Sequence, residues 1–148
     1  SCPRPTSGPP RVHGPPSVHL VSTAHLRSTS CPCSKEISEY GAHNQRGYVT
    51  TEVSPVKDED GSWRMILIED LVEVAERSGS APIYSLLTRP DEKHVTEQAY
   101  DNPVFVEDVV RNAATILRDD ERVASFSVKA VNHESIHDHN AFAVVVSG

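Results

Sequence analysis

The period of the apolar positions changes several times along this chain. In RGYVTTEVSPV, residues 46–56, β-branched residues alternate with Val49, Thr51 and Val53 on one side, which predicts a strand. The polar run Asp58-Glu59-Asp60-Gly61-Ser62 ends it as a turn. Ile68, Leu71, Val72 and Ala75 then recur at i, i+3, i+4 and i+7, predicting an amphipathic helix that stops near Ser78-Gly79. APIYSLLTRPDEKHVTEQAYDNP, residues 81–103, keeps neither period and reads as a long irregular connection, a place where function often resides.

A second helix is expected to open at Asn102-Pro103, with asparagine as N-cap and proline as first helical residue. Val106, Val109, Val110, Ala113 and Leu117 supply its apolar stripe, and Asp119–Arg122 close it. VASFSVKAV, residues 123–131, returns to period two with Ala124, Phe126, Val128 and Ala130 on one face, and AFAVVVSG ends the chain as another strand. SVHLVSTAHL, residues 17–26, reads as a weak strand. The order is strand, strand, helix, helix, strand, strand. Antiparallel hairpins with two helices packed on one face make this an α+β layer.

Composition narrows the class. The 148 residues are about one domain's worth, and an apolar content of 37% with mean hydropathy −0.40 suits a soluble protein. No apolar run approaches the roughly 20 residues needed to cross a bilayer, and the start lacks the apolar core of a secretory signal. A net charge of −7 without any block of Lys and Arg argues against nucleic-acid or membrane-surface binding. A small anionic ligand in a locally positive pocket is compatible with it. Cys2, Cys31 and Cys33 make a poor disulfide framework, because the count is odd and only Pro32 separates two of them. A reducing cytoplasm and a metal-binding or reactive thiol fit better. Six of the 11 prolines fall within SCPRPTSGPPRVHGPP, so residues 1 to 16 are expected to be disordered. We divide the chain into a Pro-rich segment, 1–28, and a globular domain, 29–148.

NHESIHDH, residues 132–139, contains a literal H-E-x-x-H pattern. A zinc protease needs both histidines on one helical face. Here period two persists to Val131 and resumes at Ala141, while Asn132, Asp138 and Asn140 favour turns. The segment is therefore expected at a hairpin tip, and the zinc-protease reading is set aside. A solvated polar turn is the ordinary alternative. Glu134 and His137 are suited instead to proton transfer near neutral pH. Upstream, CPCSKEISEYGAHNQR holds two thiols and His43. Cys-x-Cys with one distant histidine is as compatible with a buried thiol and a surface imidazole as with a metal site.

CPCSKEISEYGAHNQRG, SAPIYSLLTRPDEKHVTEQAYDNPVFVEDVVRNAA and VNHESIHDHNAFA together closely resemble the type IB GTP cyclohydrolases, metal-dependent first enzymes of folate biosynthesis in many bacteria. The likeness runs from about Thr29 to Ala143. It implies the tunnelling fold, an antiparallel sheet with two helices between its hairpins, and a barrel-like homo-oligomer, tetrameric in full-length members. Those members carry a further tunnelling-fold half upstream that residues 1–30 do not resemble.

The resemblance also implies roles. Cys31, His43 and Glu92 would ligate a divalent metal (zinc, iron or manganese), and three protein ligands leave the open position a catalytic site requires. Glu134 and His137 match the residues beside that position, with His137 delivering a proton to a ring nitrogen and Glu134 orienting it or the water. Glu107 matches the acid that anchors the purine, although an acid in a helix's first turn is also favoured by the dipole. Lys35 and Arg46 are candidate triphosphate contacts, and equally ordinary surface charges. The implied reaction is hydrolysis of GTP at C8 to formate and 7,8-dihydroneopterin triphosphate. Three other readings stand beside it: the archaeal relative with a cyclic phosphate product, an inert metal- or pterin-binding fragment, and a nitrile-reducing relative of the same fold.

Overall fold

The structure is a computed structural model that describes residues 19–28, 45–134 and 138–148. Its elements are β1 (Leu20–Ser28), β2 (Gln45–Pro55), α1 (Ile68–Ser78), β3 (Ala81–Pro82), α2 (Arg89–Asp101), α3 (Val106–Asp119), β4 (Val123–His133) and β5 (Ala141–Ser147). The strands form one sheet in the order β3-β1-β2-β4-β5, with every neighbouring pair antiparallel. This is an α+β arrangement. Because β1 pairs with β2 from Leu20↔Val53 to Ser28↔Gln45, the sheet begins before residue 29. No helix among the described residues is long and apolar enough to cross a membrane.

The alternation read in β2 sets the core. Val49, Thr51 and Val53 are buried on one face together with Phe126, Val128 and Ala130 of β4. Leu71, Val74 and Ala75 of α1, and Val109, Val110, Ala113 and Leu117 of α3, cover that face in a single cluster. Each fully buried Val or Leu contributes about 1.5–3 kcal/mol, so this layer carries most of the fold's stability. On the opposite face of the sheet Tyr48 meets His133 edge-on at 5.1 Å between ring centroids, and no described helix packs there.

Four expectations need correction. The buried face of α1 is Leu71, Val74, Ala75 and Ser78, while Ile68 is 48% exposed. The stripe is rotated because Val74 and Ser78 occupy the contact with α3 and the sheet, and the Ser78 hydroxyl is satisfied by donating to the Val74 carbonyl at 2.6 Å. Residues 89–101, read as irregular, form α2, so three helices are present among the described residues. Only Val95 and Ala99 are buried along α2, in a small cluster with Ala81, which explains the missing 3.6-residue signal. What starts this helix is local: the Asp91 carboxylate accepts from the Thr88 N–H at 2.9 Å and from its hydroxyl at 2.6 Å. The next helix begins at Val106, not at Pro103. Asn102 closes α2 instead, its N–H donating to the Gln98 carbonyl at 3.0 Å.

The fourth correction is Ala124, which is exposed rather than core-facing. The β2–β4 register passes from Ser54↔Ser125 to Pro55↔Val123, so Ala124 is an extra residue opposite no partner. The phase shifts there, and Val123 packs against the core in its place.

Candidate active site

Beyond the bulge the alternation of β4 holds to its end, so Phe126, Val128, Ala130 and Asn132 all turn toward the helices. His133 is the last residue of the strand, and β4 pairs back to β5 from Asn132↔Ala141. The first histidine of HESIH is thus strand-borne. That removes the helical face a zinc protease needs.

At this end of the sheet β4 runs beside the start of α3. A cavity of about 170 Å³ opens there, lined by Val104, Phe105, Val106, Glu107, Asn132, Glu134 and Ala141. Two acids singled out in the sequence, Glu107 and Glu134, are brought together by the meeting of α3 with the β4–β5 hairpin. Glu107 is the second residue of α3, where unsatisfied backbone N–H groups and the helix dipole favour its negative charge. Its neighbour Asp108 is occupied by Arg111 at 2.6 Å. A shallower hollow, lined by Phe105, Glu107, Asp108 and Arg111, shares two residues with the first.

Two residues of this cavity were not foreseen. Asn132 was read as a turn former, yet it is only 5% exposed. Carrying the even-numbered alternation of β4 one step past Ala130 would have placed it on the helix side. Phe105, the N-cap position of α3, is 41% exposed despite its size. Nothing in the periodicity marked it.

The remaining candidates lie elsewhere. Glu92 sits in the first turn of α2, where Arg89 donates to its carboxylate at 2.8 Å, and it does not line the cavity. Arg46 is exposed at the start of β2, opposite His133 in the register, on the face away from the helices. Cys31, Cys33, Lys35, His43 and His137 lie outside the described residues, as does the segment 1–16. Among the described residues, no three metal-ligating side chains converge. Of the implied metal ligands only Glu92 is therefore described. Its side chain is 47% exposed and its ion-pair partner Arg89 more so, a contact worth about 0–1 kcal/mol that a metal could displace. One thiolate, one imidazole and one such carboxylate form a donor set that suits a divalent ion.

Comparison with known proteins adds the family context. The family model described as type I GTP cyclohydrolase folE2 matches residues 16–143. The chain is 56% identical over 120 residues to a GTP cyclohydrolase FolE2 from Dictyoglomus thermophilum, covering 81% of this chain and 44% of the relative. It is 56% identical over 117 residues to the protein of that name from Halorhodospira halophila, covering 79% and 42%. The corresponding values for Thermotoga petrophila are 55% over 120 residues, 81% and 44%. The chain thus spans less than half the length of the curated relatives it matches.

Proposed function

Because the chain belongs to the type I GTP cyclohydrolase folE2 family, we propose that it is the catalytic portion of a metal-dependent, type IB GTP cyclohydrolase. The reaction is the conversion of GTP and water to 7,8-dihydroneopterin triphosphate and formate, at the head of folate biosynthesis. The observation that carries this reading is the convergence of Glu107 and Glu134 on one cavity between α3 and the last hairpin. The α+β sheet with its helices on one face is compatible with the tunnelling fold.

In this reading Glu107 accepts the guanine N1–H and 2-amino donors and fixes the base, a charge-assisted pair stronger than a neutral one. Cys31, His43 and Glu92 would hold a zinc, manganese or iron ion, which when bound supplies Lewis acidity and a more acidic water. His137 delivers a proton to the ring nitrogen as the imidazole ring opens, and Glu134 orients that imidazole or the water. Lys35 and Arg46 meet the triphosphate.

A cytoplasmic homo-oligomer completes the proposal. Its support is the outer edge of β5, which pairs with no other strand among the described residues. Phe142, Val144 and Val146 expose apolar surface on that strand. Such edges invite pairing with a second copy.

The test is incubation of the purified chain with GTP and Mn²⁺ or Zn²⁺, followed by oxidation and detection of a fluorescent pterin and formate. Stoichiometric formation of both supports the reading; intact GTP after metal loading overturns it. The short span relative to the curated relatives favours one second reading, a fragment that binds metal and GTP without turnover. Calorimetric binding without formate would identify it.

A further inference from the structure

The face of the sheet away from the helices carries a row of basic residues at one level. The register sets Arg46 of β2 directly opposite His133 of β4, and Arg27 of β1 opposite Arg46 on its other side. Three neighbouring strands thus bring two arginines and a histidine together, at the end of the sheet where β4 turns back to β5. Directly opposite residues have Cβ atoms about 4.5–5.5 Å apart, and like charges at such positions are destabilising. The chain holds 21 acids against 14 Lys and Arg, so neutralising side chains are not scarce. Yet among the described residues Arg46 and His133 form no ion pair. The first acid along this face of β2 is Glu52, six residues from Arg46 and about 20 Å away along the strand. Both Arg46 and His133 are exposed, and the edge-on contact with Tyr48 braces the imidazole on this face.

We propose that this row is a phosphate-binding site: the Arg46 guanidinium and the His133 imidazole donate to the oxygens of a polyphosphate lying across β2 and β4, with Arg27 at the next register position. An anion there removes the repulsion that the register builds in and accepts charge-assisted hydrogen bonds, bidentate ones from arginine. His133 and Glu134 are consecutive. The row therefore lies on one side of the end of β4, and the cavity lined by Glu107 and Glu134 on the other. A nucleotide whose base occupies that cavity can carry its triphosphate round the end of the strand to the row. This last assignment rests on the nucleotide reading given above; a free polyphosphate offers the same oxygens. Lys129 provides an internal control. It is exposed on the same face, four residues from His133 and about 13 Å away along β4.

The test is calorimetry of the full chain with inorganic tripolyphosphate, guanosine and GTP, repeated on Arg46→Gln, Arg46→Lys, His133→Gln and Lys129→Gln. All three positions are exposed, so the variants should fold. Tripolyphosphate is expected to bind, Arg46→Gln to weaken it about tenfold and His133→Gln about threefold. Arg46→Lys keeps the charge but not the fork, and should recover part of the loss. Lys129→Gln removes the same unit of charge beyond the screening distance and should change the affinity by about twofold at most. Guanosine binding should be equal in every variant. If GTP weakens in parallel with tripolyphosphate and the two compete, the row takes the triphosphate of the nucleotide; if tripolyphosphate alone weakens, it takes a free polyphosphate. Either result supports the site. Absence of tripolyphosphate binding, or equal losses in Arg46→Gln and Lys129→Gln, overturns it. An unmodified chain that binds GTP no better than tripolyphosphate, and guanosine not at all, removes the nucleotide reading and leaves the phosphate site standing.

Discussion

Arg122, the residue just before β4, reaches Asp70 in the first turn of α1 at 2.8 Å, and the same guanidinium grips Asp120 through two nitrogens at 3.0 and 2.7 Å. The arginine thereby ties the N-terminus of α1 to the point where α3 hands over to β4. Asp70 does two jobs, because it also accepts the Leu67 N–H at 3.1 Å and so begins α1. Replacing Arg122 with Met keeps the length of the side chain but leaves the two carboxylates facing each other. The groups are a quarter to two-fifths exposed, so solvent screening limits the loss to about 1–2 kcal/mol. A thermal melt should show a midpoint about 3–8 °C lower. An unchanged midpoint would mean the network contributes nothing net.

The same network fixes a pH dependence. The Leu67 N–H and then Arg122 hold the Asp70 carboxyl below the usual carboxylate range, and the Arg122 hydrogen bonds hold Asp120 there too. Arg122 itself is pushed above its ordinary value by these partners and stays charged throughout. Groups whose folded values are depressed stabilise the fold fully above their unfolded value near 4, and lose that contribution as pH falls through the folded value. Urea midpoints should therefore hold from pH 7 to 5 and drop below pH 4. In Arg122→Met the part of this drop due to Arg122 should disappear. An equally steep drop in the variant would assign the acid sensitivity to other carboxylates.

Asn102 joins two segments that the sequence alone separates. Its carboxamide donates to the carbonyls of Gly79 and Ser80, each at 3.2 Å, tying the end of α2 to the stretch that leaves α1. Asn102→Ala should cost about 1–2 kcal/mol, two neutral hydrogen bonds in a partly buried place. Amide exchange should accelerate at Ala81 and in the last turn of α2, with the central strands protected as before. Uniform acceleration across the sheet would contradict this local role.

These cases show what the sequence made legible. Strand β2, β4 from Phe126 onward and the apolar stripe of α3 from Val106 were legible because long-range packing agrees with their local period. Val49, Thr51 and Val53, or Val106 through Leu117, alternate or recur as their burial requires. Helix α2 was missed because it is built on a cap, Thr88 with Asp91, and buries too little to leave a period. Asn102-Pro103 misled because one asparagine can end a helix as readily as begin one. Glu107 and Glu134 were singled out in advance through family motifs, but that they line one cavity depends on how α3 lies against the last hairpin. Asn132 escaped notice for a related reason. A polar residue on a buried face looks like a loop residue until the phase of its strand is followed to the end.

Metal content offers a check that is independent of turnover. If Cys31, His43 and Glu92 form the binding set, Cys31→Ala should reduce bound zinc or manganese from about one ion per chain to a small fraction of that, since a thiolate is the strongest donor of the three. Cys33→Ala should retain it. Elemental analysis after dialysis reads both. Full occupancy in Cys31→Ala would remove the thiolate from the site.

Glu107→Gln separates binding of the base from everything else. Glu107 is exposed in the first turn of α3, so its charge adds no more than about 0.5 kcal/mol to stability through the helix dipole, and the melting midpoint should hardly move. Its pairing with two base donors is a different matter. A hydrogen bond to a charged group contributes about 1.5–3 kcal/mol, so loss of the charge should weaken GTP roughly 10- to 100-fold. Glutamine also turns an N–H toward a donor, which adds to the penalty. Metal content should be unaffected, because Glu107 is not among the ligands. Nucleotide titration of the variant against the unmodified chain, with metal analysis on the same samples, decides the matter: undiminished GTP affinity would show that the cavity between α3 and the last hairpin does not hold the base.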